Sequence, residues 1–366
     1  MNFIQKRSYI KFSIYFFVLF FFQVKEIFSQ EKNLRFLVAQ GVIFPHHSAI
    51  EYVANNYVQA FSLRYEKKTF GAESWETGFR YPAYGFGLYH ENFHNKNVLG
   101  SASSVFIYIH IPIQHKEKFN FFYSLSGGFS YLNKPYDIAD NYLNTAIGSR
   151  FNNFIHVGYG FQQKISSNLK LESALTFKHY SNGRRKFPNT GLNVFSFEVG
   201  ILYRIGERSN YIENELPTIN KKWSLSAFYG MGDKANTLGD NKFYLVSMLQ
   251  LNLERWVSYK RNFGLGVDLF FDQTLKYRVE EEGLATSGIS DLLRPAIHVS
   301  QDLKMGKLAL SFQLGYYLFS TYKENNSIYN NMIIKYYISE KVFFNIIFKS
   351  HFAKADFMAF GIGWTF

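Results

Sequence analysis

Apolar and polar residues alternate with a period of two through most of the chain, in segments separated by polar turns. That period sends successive side chains to opposite faces of a strand. Most segments meet or slightly exceed the about 9–11 residues that a tilted membrane-crossing strand needs. The pattern predicts strands near 33–43, 56–66, 83–90, 99–113, 118–131, 151–164, 168–181 and 190–205. A second set is predicted near 222–232, 241–257, 262–275, 291–303, 307–320, 327–338, 341–350 and 356–366. Sixteen is even, as a barrel with both chain ends on one side requires.

Connection lengths fit the same picture. His115–Glu117, Ile165–Ser167, Ser258–Arg261, Met305–Gly306 and Ser339–Glu340 are short, whereas Phe44–Asn55, Leu132–Arg150 and Tyr277–Ile289 are long. Long outer loops with short periplasmic turns are the pattern of outer-membrane barrels. Lys67–Pro82 is the exception, long on the nominally periplasmic side. A polar stretch, Glu207–Lys221, reads as a periplasmic linker between halves at 30–206 and 222–366. Phe154-Ile155-His156-Val157 recurs as Ala296-Ile297-His298-Val299, a short likeness compatible with duplication or with chance. The fold class is therefore all-β, a transmembrane antiparallel barrel of about sixteen strands. One sixteen-stranded barrel and two eight-stranded barrels in tandem both fit.

Composition narrows the compartment. With 41 Phe and 27 Tyr, one fifth of the chain is aromatic, which suits girdles at two membrane interfaces. Lys6, Arg7 and Lys11 precede an apolar run from Phe12 to Phe22, with Ser29 near a cleavage point, so 1–29 reads as an export signal and the protein as resident in the bacterial outer membrane. There is no Cys, hence no thiol chemistry and no lipid-acceptor cysteine. The net charge of +12 is scattered rather than gathered on a helix, which argues against nucleic acid and for anionic glycolipid phosphates. The terminal aromatic, Phe366, resembles the C-terminal signal read by the barrel-assembly machinery.

The seventh strand carries the candidate chemistry. Its odd positions are Leu169, Leu171, Ser173, Leu175, Phe177, His179 and Ser181, the face expected to meet lipid. Polar groups there are costly in mid-membrane and commonly functional. Two residues apart on one face, His179 and Ser181 suit a general base and a nucleophile. Alternation in the eighth strand brings Asn193 to the top of the same face, beside them across the hairpin, and turns Glu198 inward. The basic run Arg184-Arg185-Lys186 lies in the loop above, placed to bind phosphates or acidic core sugars, unless it is an ordinary solvated cluster.

The run His179-Tyr180-Ser181-Asn182-Gly183, followed by Pro188-Asn189-Thr190-Gly191, resembles the outer-membrane lipid A 3-O-deacylase (PagL-like, acyloxyacyl hydrolase) family over roughly residues 33–205. The resemblance implies an eight-stranded barrel whose outward-facing residues hydrolyse an acyl ester of lipid A without a cofactor. It gives His179 the base position and Ser181 the nucleophile position. Backbone N–H groups of Asn182 and Gly183 become oxyanion donors, with Asn189 shaping the loop. Where the family pattern has an acid, this chain has Asn193, which can hold an imidazole by its carbonyl oxygen but cannot neutralise an imidazolium. The contrasting reading is a non-catalytic pore or scaffold that retains the motif.

Other signals carry less. His90-Glu91-Asn92-Phe93-His94 matches H-E-x-x-H, but that zinc chemistry needs a helix, and here a Gly-containing strand precedes the motif. His46-His47 lie in the first outer loop without a partner at ligand spacing, so no metal is expected. Gly127-Gly128 and Gly264-Leu265-Gly266 sit within strands, with no helix following to form a phosphate loop.

Overall fold

A computed structural model describes residues 31–366 other than 55, 115, 117, 209, 217, 220, 241, 282, 284–287, 321, 323–326 and 353. The export signal read at 1–29 and the turn residues His115 and Glu117 lie outside the described residues. The first eight strands are β1 (Lys32–Ile43), β2 (Tyr57–Lys68), β3 (Ala83–Asn92), β4 (Ser101–Pro112), β5 (Phe119–Leu132), β6 (Phe151–Lys164), β7 (Leu169–Ser181) and β8 (Leu192–Arg204). The second eight are β9 (Trp223–Lys234), β10 (Tyr244–Trp256), β11 (Arg261–Asp272), β12 (Leu293–Met305), β13 (Leu308–Tyr317), β14 (Ile328–Tyr337), β15 (Val342–His351) and β16 (Lys354–Thr365).

Every neighbouring pair is antiparallel, and the sheet closes twice. β1 pairs with both β2 and β8, while β9 pairs with both β10 and β16, giving two separate eight-stranded barrels. No single barrel of sixteen strands forms. Two departures from the sequence reading have local causes. β3 runs on past the predicted end at His90 through Glu91 and Asn92, because these pair with Ala102 and Ser101 of β4. The eleventh strand stops at Asp272, whose carboxylate accepts from the Thr274 backbone N–H at 2.9 Å and hydroxyl at 2.6 Å, starting helix α2 (Thr274–Glu281) after the shorter α1 (Ser74–Gly78).

Eight strands leave an interior just wide enough for side chains to fill. In the first barrel Arg35 pairs with Glu66 at 2.8 Å and Glu172 at 2.6 Å, and Arg64 pairs with Glu198 at 2.8 Å. Above them Lys178 bonds the Tyr89 hydroxyl at 2.7 Å and pairs with Glu91, whose other oxygen accepts from Tyr180. In the second, Asp268 accepts from His298 at 2.8 Å and from Tyr329, and Lys335 pairs with Asp302 at 2.7 Å and Glu254 at 3.2 Å. Lone charges in so dry a space are costly, and these interior charges come as paired networks. The opposite parity is apolar and exposed, as with Phe61, Leu63, Leu175, Phe197, Leu251, Leu265 and Ile362. Among the described residues no helix is long and apolar enough to cross a membrane.

Loops stopper the first barrel at the site's end. Ile50, Val53, Phe93, Leu99, Ile147 and Leu192 pack as one buried apolar cluster with the strand residues beneath. At the other end, the long segment 67–82 folds around α1 onto the second barrel. Phe79 packs with Ile111 and Met305, the Tyr259 hydroxyl donates to the Gly78 carbonyl at 3.3 Å, and Lys260 lies 4.6 Å over the Phe79 ring. The connection between barrels is held against the same segment. Ile212 N–H donates to the Phe70 carbonyl at 2.8 Å, and the approach of Ile212 O to Gly71 leaves no room for a side chain.

With both interiors filled, the purified protein is expected to show no stable single-channel conductance in planar bilayers; porin-like steps would contradict this packing. Arg35→Met strands two buried carboxylates and is expected to cost about 3–5 kcal/mol in urea unfolding in micelles.

Candidate functional site

The site is built on the β7–β8 hairpin, on the outer face of the first barrel. Cross-strand register sets His179 directly opposite Asn193, both outward. The His179 imidazole Nδ1 lies 2.6 Å from Asn193 Oδ1. The other half of the carboxamide is also engaged, since Asn193 Nδ2 donates to His46 Nδ1 at 2.9 Å. His46 Nε2 in turn donates to the Thr190 carbonyl at 2.8 Å.

Three loops hold this arrangement. Phe44 N–H donates to the Asn193 carbonyl at 2.9 Å, continuing the β1–β8 seam up to His46. Gly191 N–H donates to Ala146 O at 3.0 Å, and the Thr190 hydroxyl to Thr145 O at 3.0 Å, tying the hairpin to the β5–β6 loop. Thr145 then donates to Ala49 O at 2.6 Å, which closes the ring of loops. Gly191 has φ +83°, and a Cβ on it would sit 2.8 Å from His179 Cε1, so the imidazole occupies space that only glycine leaves open.

Ser181 ends β7 on the outward face, one strand repeat of about 6.6 Å beyond His179. It is buried. Asn182 organises that loop: its Nδ2 donates to Lys186 O at 2.8 Å and to the Ser149 hydroxyl at 3.0 Å. Its backbone N–H donates to Asn189 Oδ1 at 2.9 Å. The Asn182 amide read from sequence as an oxyanion donor is therefore occupied by Asn189. What the pairing leaves is Asn189 Nδ2, a buried donor with no hydrogen-bond partner in the structure. Buried donors are nearly always satisfied, and an orphan calls for an explanation.

The basic run divides. Arg184 is buried, 3.6 Å from Asp356 of β16, and its carbonyl accepts from Ala235 N–H at 3.0 Å. Arg185 makes a two-point pair with Asp233 of β9, at 2.6 and 3.1 Å. These two arginines, read from sequence as phosphate ligands, bind the second barrel in the structure. Lys186 is exposed. The carboxylates that hold them are far off in sequence, beyond the reach of a local charge pattern.

Glu198 points inward to Arg64, as strand alternation requires. In the H-E-x-x-H segment, His90 faces outward to Ser103 at 2.9 Å while Glu91 faces inward to Lys178, opposite sides of one strand. Sequence reading passed over His46 as a loop residue. The available signal was barrel closure: once β1 pairs with β8, the first loop must lie beside the last strand's upper end.

The described features define a class: a pair of closed eight-stranded barrels, the first carrying an imidazole and a hydroxyl on one outward strand face, with a buried, unpartnered amide donor in the loop that follows. A family model described as lipid A 3-O-deacylase (PagL) matches residues 59–201, and one described as acyloxyacyl hydrolase, C-terminal domain, matches 221–366. The chain belongs to the lipid A 3-O-deacylase family; the match at 59–201 takes in most of the first barrel but not β1, and that at 221–366 takes in the whole second barrel. No curated protein matches it. Among solved structures it is similar to Neisserial surface protein A, 9% identical, over 48% of this chain and 97% of that one, with a TM-score of 0.32. It is also similar to the translocator domain of the autotransporter NalP from Neisseria meningitidis, 9% identical, over 98% and 96%, with a TM-score of 0.22. A mutant Rh. blastica porin is 11% identical over 92% and 100%, with a TM-score of 0.21. At these scores the architecture stands on the pairing of the chain's own strands.

Gly191→Ala is expected to push the His179 ring aside and lower lipid A deacylation by roughly 10²-fold, the usual consequence of a displacement near 1 Å. The barrel should remain folded, as judged by its heat-dependent shift on unboiled gels; full activity in a folded variant would show that the His179 position is unimportant.

Proposed function

We propose that the chain is a serine-dependent esterase that removes an ester-linked acyl chain from lipid A at the outward, lipid-facing surface of its first barrel. The observation that carries this reading is the unpartnered, buried Asn189 Nδ2, in the loop that joins the strand bearing His179 and Ser181 to the strand bearing Asn193, its own Oδ1 bound by the N–H that follows Ser181.

In this mechanism Asn193 Oδ1 accepts a hydrogen bond from His179 Nδ1–H and keeps the proton there, which leaves the Nε2 lone pair to accept the Ser181 hydroxyl proton. Ser181 Oγ attacks the acyl carbonyl carbon, and the carbonyl π electrons move to oxygen. Asn189 Nδ2 donates to that oxyanion, joined by the Gly183 backbone N–H. The pair of electrons on oxygen then re-forms the carbonyl and expels the sugar oxygen, which takes the proton from His179 Nε2. Water, deprotonated by the same imidazole, attacks the acyl-serine, and the fatty acid leaves. No cofactor is required.

The lipid's acyl chains would lie along the apolar outer surface around Leu175, Phe177, Phe195 and Phe197, with its phosphates above the membrane plane. Of the basic residues in the loop, Lys186 is the one placed to meet those phosphates, because Arg184 and Arg185 are engaged with the second barrel. The terminal Phe366 stays exposed at the end of the last strand, consistent with a role in barrel assembly.

Mass spectrometry of lipid A from cells expressing the wild type should show loss of one acyl chain. Ser181→Ala is expected to abolish that product, and Asn189→Ala to lower its rate by about 10²–10³-fold, the loss typical for one oxyanion donor. Unchanged deacylation in folded Ser181→Ala would sink the esterase reading.

A further inference from the structure

The third residue of the constellation is an amide, and an amide has two faces. If Oδ1 meets the imidazole, His179 must carry its proton on Nδ1 and Nε2 is free to act as a base. If Nδ2 meets it, Nδ1 becomes the acceptor, the proton moves to Nε2, and no base faces Ser181. In a serine hydrolase triad, replacing the acid by its amide costs about 10⁴-fold because the wrong tautomer results. An Asn in that position works only if something chooses its orientation.

We infer that His46 is a positioning residue that makes this choice, and that the Thr190 carbonyl makes it for His46. A carbonyl oxygen only accepts, so at 2.8 Å from Thr190 O the His46 Nε2 must carry a proton. The singly protonated ring then offers a lone pair at Nδ1, and the group 2.9 Å away must donate: Asn193 Nδ2. That leaves Asn193 Oδ1 for His179, 2.6 Å away, and places the His179 proton on Nδ1. Each step follows from the donor and acceptor inventory of the group before it. The backbone at both ends is held as well, by Phe44 N–H on Asn193 O and Gly191 N–H on Ala146 O.

The chain of contacts from Thr190 through His46 and Asn193 to His179 thus supplies what a triad carboxylate ordinarily supplies to the ground state, the tautomer and the ring orientation. It does so without a charge. This inference rests on the esterase reading for its consequence in rate, while the tautomer itself is observable without any hydrolysis.

The test combines both readouts on the full-length protein in detergent micelles. Nitrogen-15 chemical shifts of labelled histidines, with His179→Gln for assignment, should show His179 protonated on Nδ1 in the wild type and shifted toward Nε2 in His46→Ala. His46→Asn keeps an oxygen near the Nδ1 position and should retain the wild-type tautomer, whereas His46→Gln keeps only the reach toward Thr190 and should behave like alanine. Rates on purified lipid A should follow: kcat falls by between about 10²- and 10⁴-fold in His46→Ala and His46→Gln, and largely recovers in His46→Asn, with KM little changed. In an Asn193→Asp background both carboxylate oxygens accept, the choice vanishes, and His46→Ala should cost no more than about threefold. That background also keeps the test open if His46→Ala alone misfolds. A His179 tautomer that stays on Nδ1 in folded His46→Ala, with kcat within about twofold of wild type, would overturn the inference while leaving the esterase intact. Active Ser181→Ala would instead remove the esterase reading, and the nitrogen shifts would still decide the role of His46.

Discussion

The seam where β1 hydrogen-bonds to β8 is the constraint on which the rest of the first barrel depends. Its eleven paired positions, from Asn33 with Arg204 to Ile43 with Val194, abolish the sheet's edges and fix which side of every strand faces in. A one-residue slip would invert that assignment, sending Arg35, Glu172 and Lys178 outward and Leu175 and Phe197 inward. The same seam sets the site. It continues past β1 through Phe44 to Asn193, and so brings His46, which is 147 residues from Asn193 in sequence, to within hydrogen-bonding distance of its amide.

Two barrels rather than one large one follow from the same economy of filling. Eight strands enclose a lumen that side chains can occupy completely, whereas sixteen would leave a water channel. Each lumen here carries its own ion-pair network, and the two barrels meet through loops and outer surfaces instead of sharing strands. The contact at the site's end is specific in its chemistry. Arg184 and Arg185 reach Asp356 and Asp233 across the junction, and Arg184 O accepts from Ala235 N–H. The loop that follows Ser181 is therefore held from one side by Asn182 and Asn189 of its own barrel and from the other by the second barrel. For the proposed oxyanion donor, whose value depends on being fixed before charge develops, such a support is more useful than two more mobile cations.

Much of this was legible in sequence because it is local. Period-two alternation placed the strands to within a few residues, and the parity of β7 and β8 put His179, Ser181 and Asn193 on one face and Glu198 on the other. What escaped was what depends on closure. Alternation is identical in a barrel of eight strands and one of sixteen, so it left the number of barrels open. Arg184 and Arg185 look like a solvated basic run until Asp233 and Asp356 arrive from another domain. The exchange of roles in the loop, with Asn182 N–H occupied and Asn189 Nδ2 left over, is a matter of backbone path that residue identities do not encode. His46 was dismissed for want of a neighbour at ligand spacing, when its neighbour was across the seam.

An amide in place of a carboxylate has a physical rationale on an apolar outer barrel surface such as the proposed reaction uses. A carboxylate beside hydrocarbon pays a large desolvation cost unless a cation or several donors accompany it, and each added partner must be desolvated too. The relay through Asn193 and His46 avoids that cost, since every member can be neutral and every polar atom of the two junctions is paired. In the proposed mechanism the penalty falls on the transition state, where the imidazolium formed at His179 meets an amide dipole instead of a full negative charge. Part of that loss is offset because the dipoles of Thr190 C=O, His46 and Asn193 are aligned in one chain, and hydrogen bonds in series polarise one another at low dielectric. For the proposed reaction, on a substrate that diffuses in two dimensions and stays in the membrane, a slower chemical step on a stable surface is a workable balance.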